Sequence, residues 1–150
     1  MTRDDDLQKL ILAVHALTRI AALDTKNDAP AAQWRTLTLL REHGPQRLGD
    51  LASLSRITQP GMTRLIRQME TAELVDRVAD PVDSRVSVIR ATPAGLDALD
   101  RWFTTFRDAL APHVADLADA EWDALRTTAD ALAVRVAPQP LVAPQPEMAR

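Results

Sequence analysis

Apolar residues first recur at helical spacing near the start of the chain. Leu7, Leu10, Ile11, Val14, Leu17 and Ala21 fall on one stripe and predict an amphipathic helix over residues 5–23. The stretch "NDAPAAQW" interrupts it, with Asp28 as a candidate N-cap and Pro30 in the first turn of a second helix. That helix carries Trp34, Leu37, Leu39 and Leu40 to about His43, where Gly44-Pro45 ends it. Residues 47–55 predict a short third helix with Leu48, Leu51 and Leu54 inward. Ser55-Arg56-Ile57 forms a turn, and Thr58 caps a fourth helix that runs to about Ala72 with Met62, Leu65, Ile66 and Met69 on its inner side.

The pattern then changes. "LVDRVADPVDSRVSVIRAT" is rich in Val and broken by Asp80-Pro81-Val82-Asp83-Ser84, which predicts two short strands around a loop of turn formers. Thr92-Pro93 restarts helix, and Leu96, Leu99, Phe103, Phe106, Leu110, Val114 and Leu117 repeat at three- and four-residue steps. A break at Ala118-Asp119 precedes a last helix holding Trp122, Leu125, Ala129 and Leu132. The end, "VAPQPLVAPQP", is too rich in Pro to pack and predicts a flexible, polyproline-like tail over residues 138–150.

The expected fold is therefore mainly α with a small β-hairpin wing. Residues 30–92 form a winged helix-turn-helix, and long helices at 5–25 and 93–137 complete a single domain over residues 1–137. Those outer helices are apolar over more surface than one small domain needs to cover itself. The expectation is a homodimer in which the terminal helices of two chains interleave, with a monomeric bundle as the alternative.

Composition narrows the function. The chain has 150 residues, 46% hydrophobic and 26% charged, as in an ordinary folded protein. It has no Cys, which leaves no disulfide framework, thiolate metal site or cysteine redox switch. His15, His43 and His113 lie far apart with no acidic pair at ligand spacing, so no metal is expected. Four Gly, with no P-loop, no dinucleotide fingerprint and no G-x-S-x-G, give no sign of an enzyme or of a cofactor. The acidic start predicts no secretory signal, and no apolar run approaches the roughly 20 residues of a membrane span. A cytoplasmic protein away from membranes is expected. Net charge is −3, but residues 41–90 hold 8 Arg against 7 Asp and Glu, whereas residues 91–150 hold 5 against 9. Any DNA binding must come from a few placed arginines.

The fourth helix supplies them. Opposite its apolar side lie Pro60, Arg64, Arg67 and Thr71, flanked by Gly61, Thr63 and Gln68. A recognition helix enters the major groove by its N-terminal part. Gln59 can pair with adenine, and Arg64 or Arg67 with guanine. Thr58 and the first-turn N–H groups can hold a phosphate oxygen, and Pro60-Gly61 allows close approach. On the hairpin, Arg85 suits a narrow minor groove, Asp83 would orient it, and Arg77 lies on the incoming strand. Asp80 reads as a turn former.

Residues 36–99 resemble the MarR family of bacterial transcriptional regulators, with the helical arrangement extending the match to about residue 135. The resemblance is carried by "LGDLASL" at 48–54, Thr58-Gln59-Pro60, Thr63-Arg64-Leu65, Leu74-Val75-Asp76-Arg77, Asp83-Ser84-Arg85 and Ala91-Thr92-Pro93-Ala94-Gly95. It implies a homodimer on a palindromic double-stranded DNA operator, usually as a repressor that a small phenolic or other ligand releases. It places Gln59, Pro60, Thr63 and Arg64 at base or backbone contacts and Arg85 in the minor groove. The sequence departs from the pattern at Gly61, Met62 and Ser84. The resemblance also implies a ligand cleft between the dimerisation helices and the DNA-binding part. His15, Arg19 and Trp34 are its candidate lining, suited to a small aromatic acid. The rival reading is a winged helix kept as a protein-interaction or dimerisation module without operator binding; exposed Arg64, Arg67 and Arg85 argue against it.

Overall fold

The computed structural model describes residues 2–26 and 29–136. They form two compact units, residues up to Asp116 and residues from Leu117. The first begins with α1 (Arg3–Asp24), two residues earlier than the apolar stripe indicates. Thr2 and Asp5 close a reciprocal capping box, the Asp5 N–H donating to Thr2 Oγ1 at 3.2 Å and the Thr2 N–H to Asp5 Oδ2 at 2.7 Å. Those hydrogen bonds hold the Asp5 carboxyl below its ordinary pKa, the bond from the Thr2 backbone being the larger cause. Asp4, Asp5 and Asp6 also complement the positive end of the helix dipole.

α2 (Ala31–His43) is capped by Pro30, whose ψ of 135° is not helical, so Pro30 precedes the helix and does not sit within its first turn. Asp28, the cap expected from sequence, lies outside the described residues, as does the 138–150 tail. Gly44 ends α2 at φ 74°, a conformation that glycine adopts without a Cβ penalty. α3 (Leu48–Ser55) and α4 (Gln59–Thr71) follow, joined through Arg56 at φ 54°, ψ 41°. β1 (Val75–Ala79) and β2 (Ser87–Ala91) pair antiparallel with Val75 opposite Ala91 and Ala79 opposite Ser87. Gln46 extends this hairpin. Its N–H donates to Ile89 O at 3.0 Å and the Ile89 N–H to Gln46 O at 2.7 Å, which fastens the wing to the approach of α3.

α5 (Pro93–Leu110) is capped by Thr92, whose Oγ1 accepts from the Gly95 N–H. The long repeat expected to run on to Leu117 breaks at Leu110 into a 3-10 turn, Ala111–Val114. Pro112 has no N–H for the α-helical ladder, so the helix stops although its apolar periodicity continues.

Leu37, Leu51, Met62, Ile66, Met69, Ile89 and Leu99 are fully buried, and the core lies among α2, α3, α4, the wing and α5. The α1 stripe behaves differently. Ala21 is buried, but Leu7, Ile11 and Val14 remain 56%, 55% and 50% exposed. The second unit contains α6 (Asp119–Val136), whose entry is fixed by the Ala118 N–H donating to Glu121 Oε2 at 2.9 Å. Among the described residues, no helix is long and apolar enough to cross a membrane.

Candidate nucleic-acid interface

The first turn of α4 follows from its residues. Thr58 is extended at ψ 150°, and its Oγ1 accepts the Gly61 N–H at 3.2 Å. Pro60 has no N–H to leave unsatisfied. Among the described residues this leaves the Gln59 N–H as the one amide of that turn without an internal acceptor. The expected cluster of free first-turn donors is thus reduced to that amide and the Thr58 hydroxyl hydrogen. Thr63 Oγ1 donates back to Gln59 O at 3.0 Å, so its hydroxyl oxygen remains able to accept. Gln59, Pro60, Arg64, Arg67 and Gln68 are exposed on one face while Met62, Leu65, Ile66 and Met69 are buried on the other. The structure thus brings Thr58, Gln59, Pro60, Thr63 and Arg64 together on the first two turns, with Arg67 one turn further on.

Charge pairing separates the arginines of the central segment. Arg41 pairs with Asp100, Arg47 with Asp80, Arg77 with Glu70, Arg85 with Asp83 and Arg90 with Asp76. Among the described residues Arg56, Arg64 and Arg67 have no carboxylate partner. Arg67 does not pair with nearby Glu70, because Glu70 accepts from Arg77 Nε at 2.7 Å. Unneutralised positive charge in this segment therefore lies on α4 and the turn before it. Sequence reasoning treats Arg56 only as a turn residue, although a cation two residues ahead of an N-cap is a readable signal.

In the wing, Asp83 Oδ1 accepts from both the N–H and the Nε–H of Arg85, at 3.1 and 3.2 Å, and the Arg85 side chain is 90% exposed. Arg77 is turned toward α4 by Glu70, away from the loop. Asp80 does more than form a turn. It is buried, its Oδ1 accepts from the Val82 N–H at 2.8 Å, and its Oδ2 accepts from Arg47 Nε and Nη2 at 3.1 and 2.9 Å. These contacts, the Val82 N–H first, hold the Asp80 carboxyl below its ordinary pKa. The Arg90 hydrogen bond does the same for Asp76.

The region named for a ligand is also built. A cavity of about 410 Å³ is lined by Thr18, Trp34, Arg35, Leu39, Trp102 and Phe106, among others. Trp34 stacks on Trp102 with ring centroids 5.3 Å apart at 18°, and Trp102 meets Phe106 at 4.3 Å. Both indole Nε1 atoms are buried without an acceptor among the described residues. His15 and Arg19, expected beside Trp34, are exposed and do not line the cavity. α1 presents Thr18 and Ala22 there instead, and the cation on the lining is Arg35. From sequence, Phe106 belongs only to the apolar repeat of α5 and Trp102 does not stand out, because helical periodicity is the same for any buried face.

Comparison with known proteins agrees with this architecture. The MarR family profile matches residues 30–87. An HTH-type transcriptional regulator of Mycobacterium bovis is 30% identical over 132 residues, covering 87% of this chain and 92% of the relative. The HTH-type transcriptional repressor IacR of Pseudomonas putida is 24% identical over 125 residues, covering 78% of this chain and 75% of the relative. A solved MarR family protein from Bacillus stearothermophilus shares the fold with a TM-score of 0.70 at 23% identity, over 90% of this chain and 97% of that one. A winged helix-turn-helix whose recognition helix carries exposed arginines on its open face, matched by the family profile and by a relative over most of its length, identifies the chain as a member of the MarR family, a DNA-binding transcriptional regulator.

Proposed function

We propose that the protein is a homodimeric repressor that binds a two-fold-symmetric DNA operator and is released by a small aromatic ligand. The observation that carries the DNA-binding part is that Arg64 and Arg67 are exposed on α4 and have no carboxylate partner among the described residues. In this reading Arg64 and Gln59 read base edges, Thr63 and Pro60 pack against the groove wall, and the Thr58 hydroxyl and Gln59 N–H hold a phosphate. Arg85, oriented by Asp83, enters the minor groove, where narrow A·T-rich segments concentrate negative potential.

The dimer reading rests on apolar surface that one copy leaves uncovered, chiefly Leu7, Ile11, Leu12 and Val14 on α1. Burying such a face against a second copy also presents two α4 helices to DNA. The ligand reading rests on an apolar cavity lined by Trp34, Trp102 and Phe106 with Arg35 as a cation on its lining, which suits an aromatic ring bearing an acidic oxygen.

A gel-shift titration against duplexes selected from a random pool tests the first part. The expected site has half-sites about one helical turn, roughly 10 bp, apart. Arg64→Ala should cost about 1–3 kcal/mol and relax base preference, and Arg85→Ala should weaken binding broadly with a salt slope lower by about one. Binding that is absent or insensitive to salt would leave the protein-interaction module as the better reading. A monomer at micromolar concentration by light scattering would overturn the dimer, and an aromatic acid series that neither quenches Trp fluorescence nor releases DNA would overturn the ligand.

A further inference from the structure

Asp80 and Arg47 stand 33 positions apart in the chain, at the mouth of the wing and at the start of α3. Their contacts form one end of a continuous series. Arg47 donates twice to Asp80 Oδ2, at 3.1 and 2.9 Å. Asp80 Oδ1 in turn accepts from the Val82 N–H at 2.8 Å and the Asp83 N–H at 3.4 Å, fixing the first half of the loop. The Asp83 carboxylate then accepts from the backbone and guanidinium of Arg85. Across the loop mouth, the Asp80 N–H donates to Val86 O at 2.8 Å and the Val86 N–H to Asp83 O at 2.9 Å. The Gln46–Ile89 bridge fastens β2 to the same short segment that supplies Arg47. The base of the wing and its tip are thereby referred to one rigid element, the N-terminal end of α3.

We propose that the Arg47–Asp80 pair is a positioning device for the wing, setting from α3 the direction in which Arg85 meets the DNA. This rests on the reading of Arg85 as a minor-groove contact. A buried carboxylate bonded to both the loop and α3 is costly for a turn former, which needs at most the Val82 and Asp83 N–H groups. The extra pair of bonds from Arg47 constrains the wing's tilt, to which an exposed side chain at the far end of the loop is most sensitive. Neither Arg47 nor Asp80 is placed at a base.

The test uses Asp80→Asn and Arg47→Met, which remove opposite charges. The probe is a duplex selected from a random pool by the wild-type protein, together with a copy in which the A·T pairs flanking each half-site are replaced by G·C. In Asp80→Asn the amide oxygen still accepts the two loop N–H groups, and the Arg47 side chain is 51% exposed, so both variants keep the loop turn and the core. Both are expected to lose most of the preference for A·T flanks, about tenfold at the scale of one good groove contact. A purely electrostatic role would move overall affinity in opposite directions for the two. Each double variant with Arg85→Ala should bind no more weakly than Arg85→Ala alone. Losses that add to that of Arg85→Ala, or A·T preference retained in both single variants, would overturn the positioning role. Should Arg85→Ala itself leave the flank preference untouched, the minor-groove reading fails, and the positioning role with it.

Discussion

The recognition helix and the wing both present arginines, but they hold them differently. On α4, Arg64 and Arg67 have no carboxylate partner among the described residues, and Arg56 in the preceding turn shares that condition. In the wing, Arg77, Arg85 and Arg90 are each matched by Glu70, Asp83 and Asp76. The helix therefore offers net positive charge to an approaching phosphate backbone, while the wing is close to neutral. Exposed ion pairs contribute only about 0–1 kcal/mol, so a phosphate can replace a carboxylate at small cost. The helix should thus dominate the salt dependence of binding, and the wing should contribute direction and shape selectivity.

The two regions are disturbed most severely if the joint between them is forced apart. Leu74, between α4 and β1, turns its carbonyl toward α5, where it accepts the Thr92 N–H at 3.0 Å. A Cβ added at Gly95 would collide with that Leu74 oxygen, a backbone atom that cannot swing aside. Gly95→Ala should cost about 3 kcal/mol, the upper range of overpacking, and lower Tm by roughly 6–12 °C. Calorimetry checks this, and an unchanged Tm would show that the corner yields.

Acid separates the two regions next. The carboxyls of Asp76 and Asp80 are depressed in the folded state, so the stability they contribute is complete above the usual value of 3.8 and is lost as pH falls through the lower folded values. Amide NMR shifts followed from neutral pH to about pH 3 should move at Val82, Asp83 and Val86 while those of Met62 to Met69 stay in place. Simultaneous loss of both sets would mean that the wing has no separate acid response.

A smaller change converts one type of arginine into the other. Glu70→Gln removes the partner of Arg77 without removing the guanidinium. Affinity should rise about twofold to fivefold at low salt, with a steeper salt slope by up to about 0.9. An unchanged slope would show that Arg77 is too far from phosphate to count, whatever its pairing.

The same contrast explains what is legible in the sequence. α4 can be read because its determinants are local: a Thr cap, Pro in the first turn, and an apolar face at helical spacing, all within residues 58–69. Asp80 cannot, because the partner that gives it a role beyond a turn is Arg47, 33 positions away. His15 and Arg19 illustrate a related difficulty. Helical periodicity says which residues share a face, but not which neighbour that face meets, and the cavity takes Thr18 and Ala22 from α1 instead. Pro112 shows the opposite failure, where a continuing apolar repeat conceals a missing N–H.

Gly61 is the finest test, because its local and functional readings differ. Helix propensity favours Ala there by about 0.5–1 kcal/mol. A Cβ at Gly61 would, however, lie 3.0 Å from both Ile57 Cγ2 and Thr58 Oγ1, the atom that caps the helix. It would point back into the cap and away from the open face, so room for DNA is not what the missing side chain most directly provides. Displacing the cap oxygen forfeits part of the roughly 1 kcal/mol that such a cap contributes, which cancels the propensity gain. Gly61→Ala should therefore leave stability within about 0.5 kcal/mol of the wild type, while tilting the Thr58 hydroxyl and weakening DNA binding by less than about threefold. A full gain of about 1 kcal/mol in urea unfolding would mean that Ile57 moves aside freely. A binding loss greater than about tenfold at unchanged stability would restore the view that the first turn lies flush against the DNA backbone.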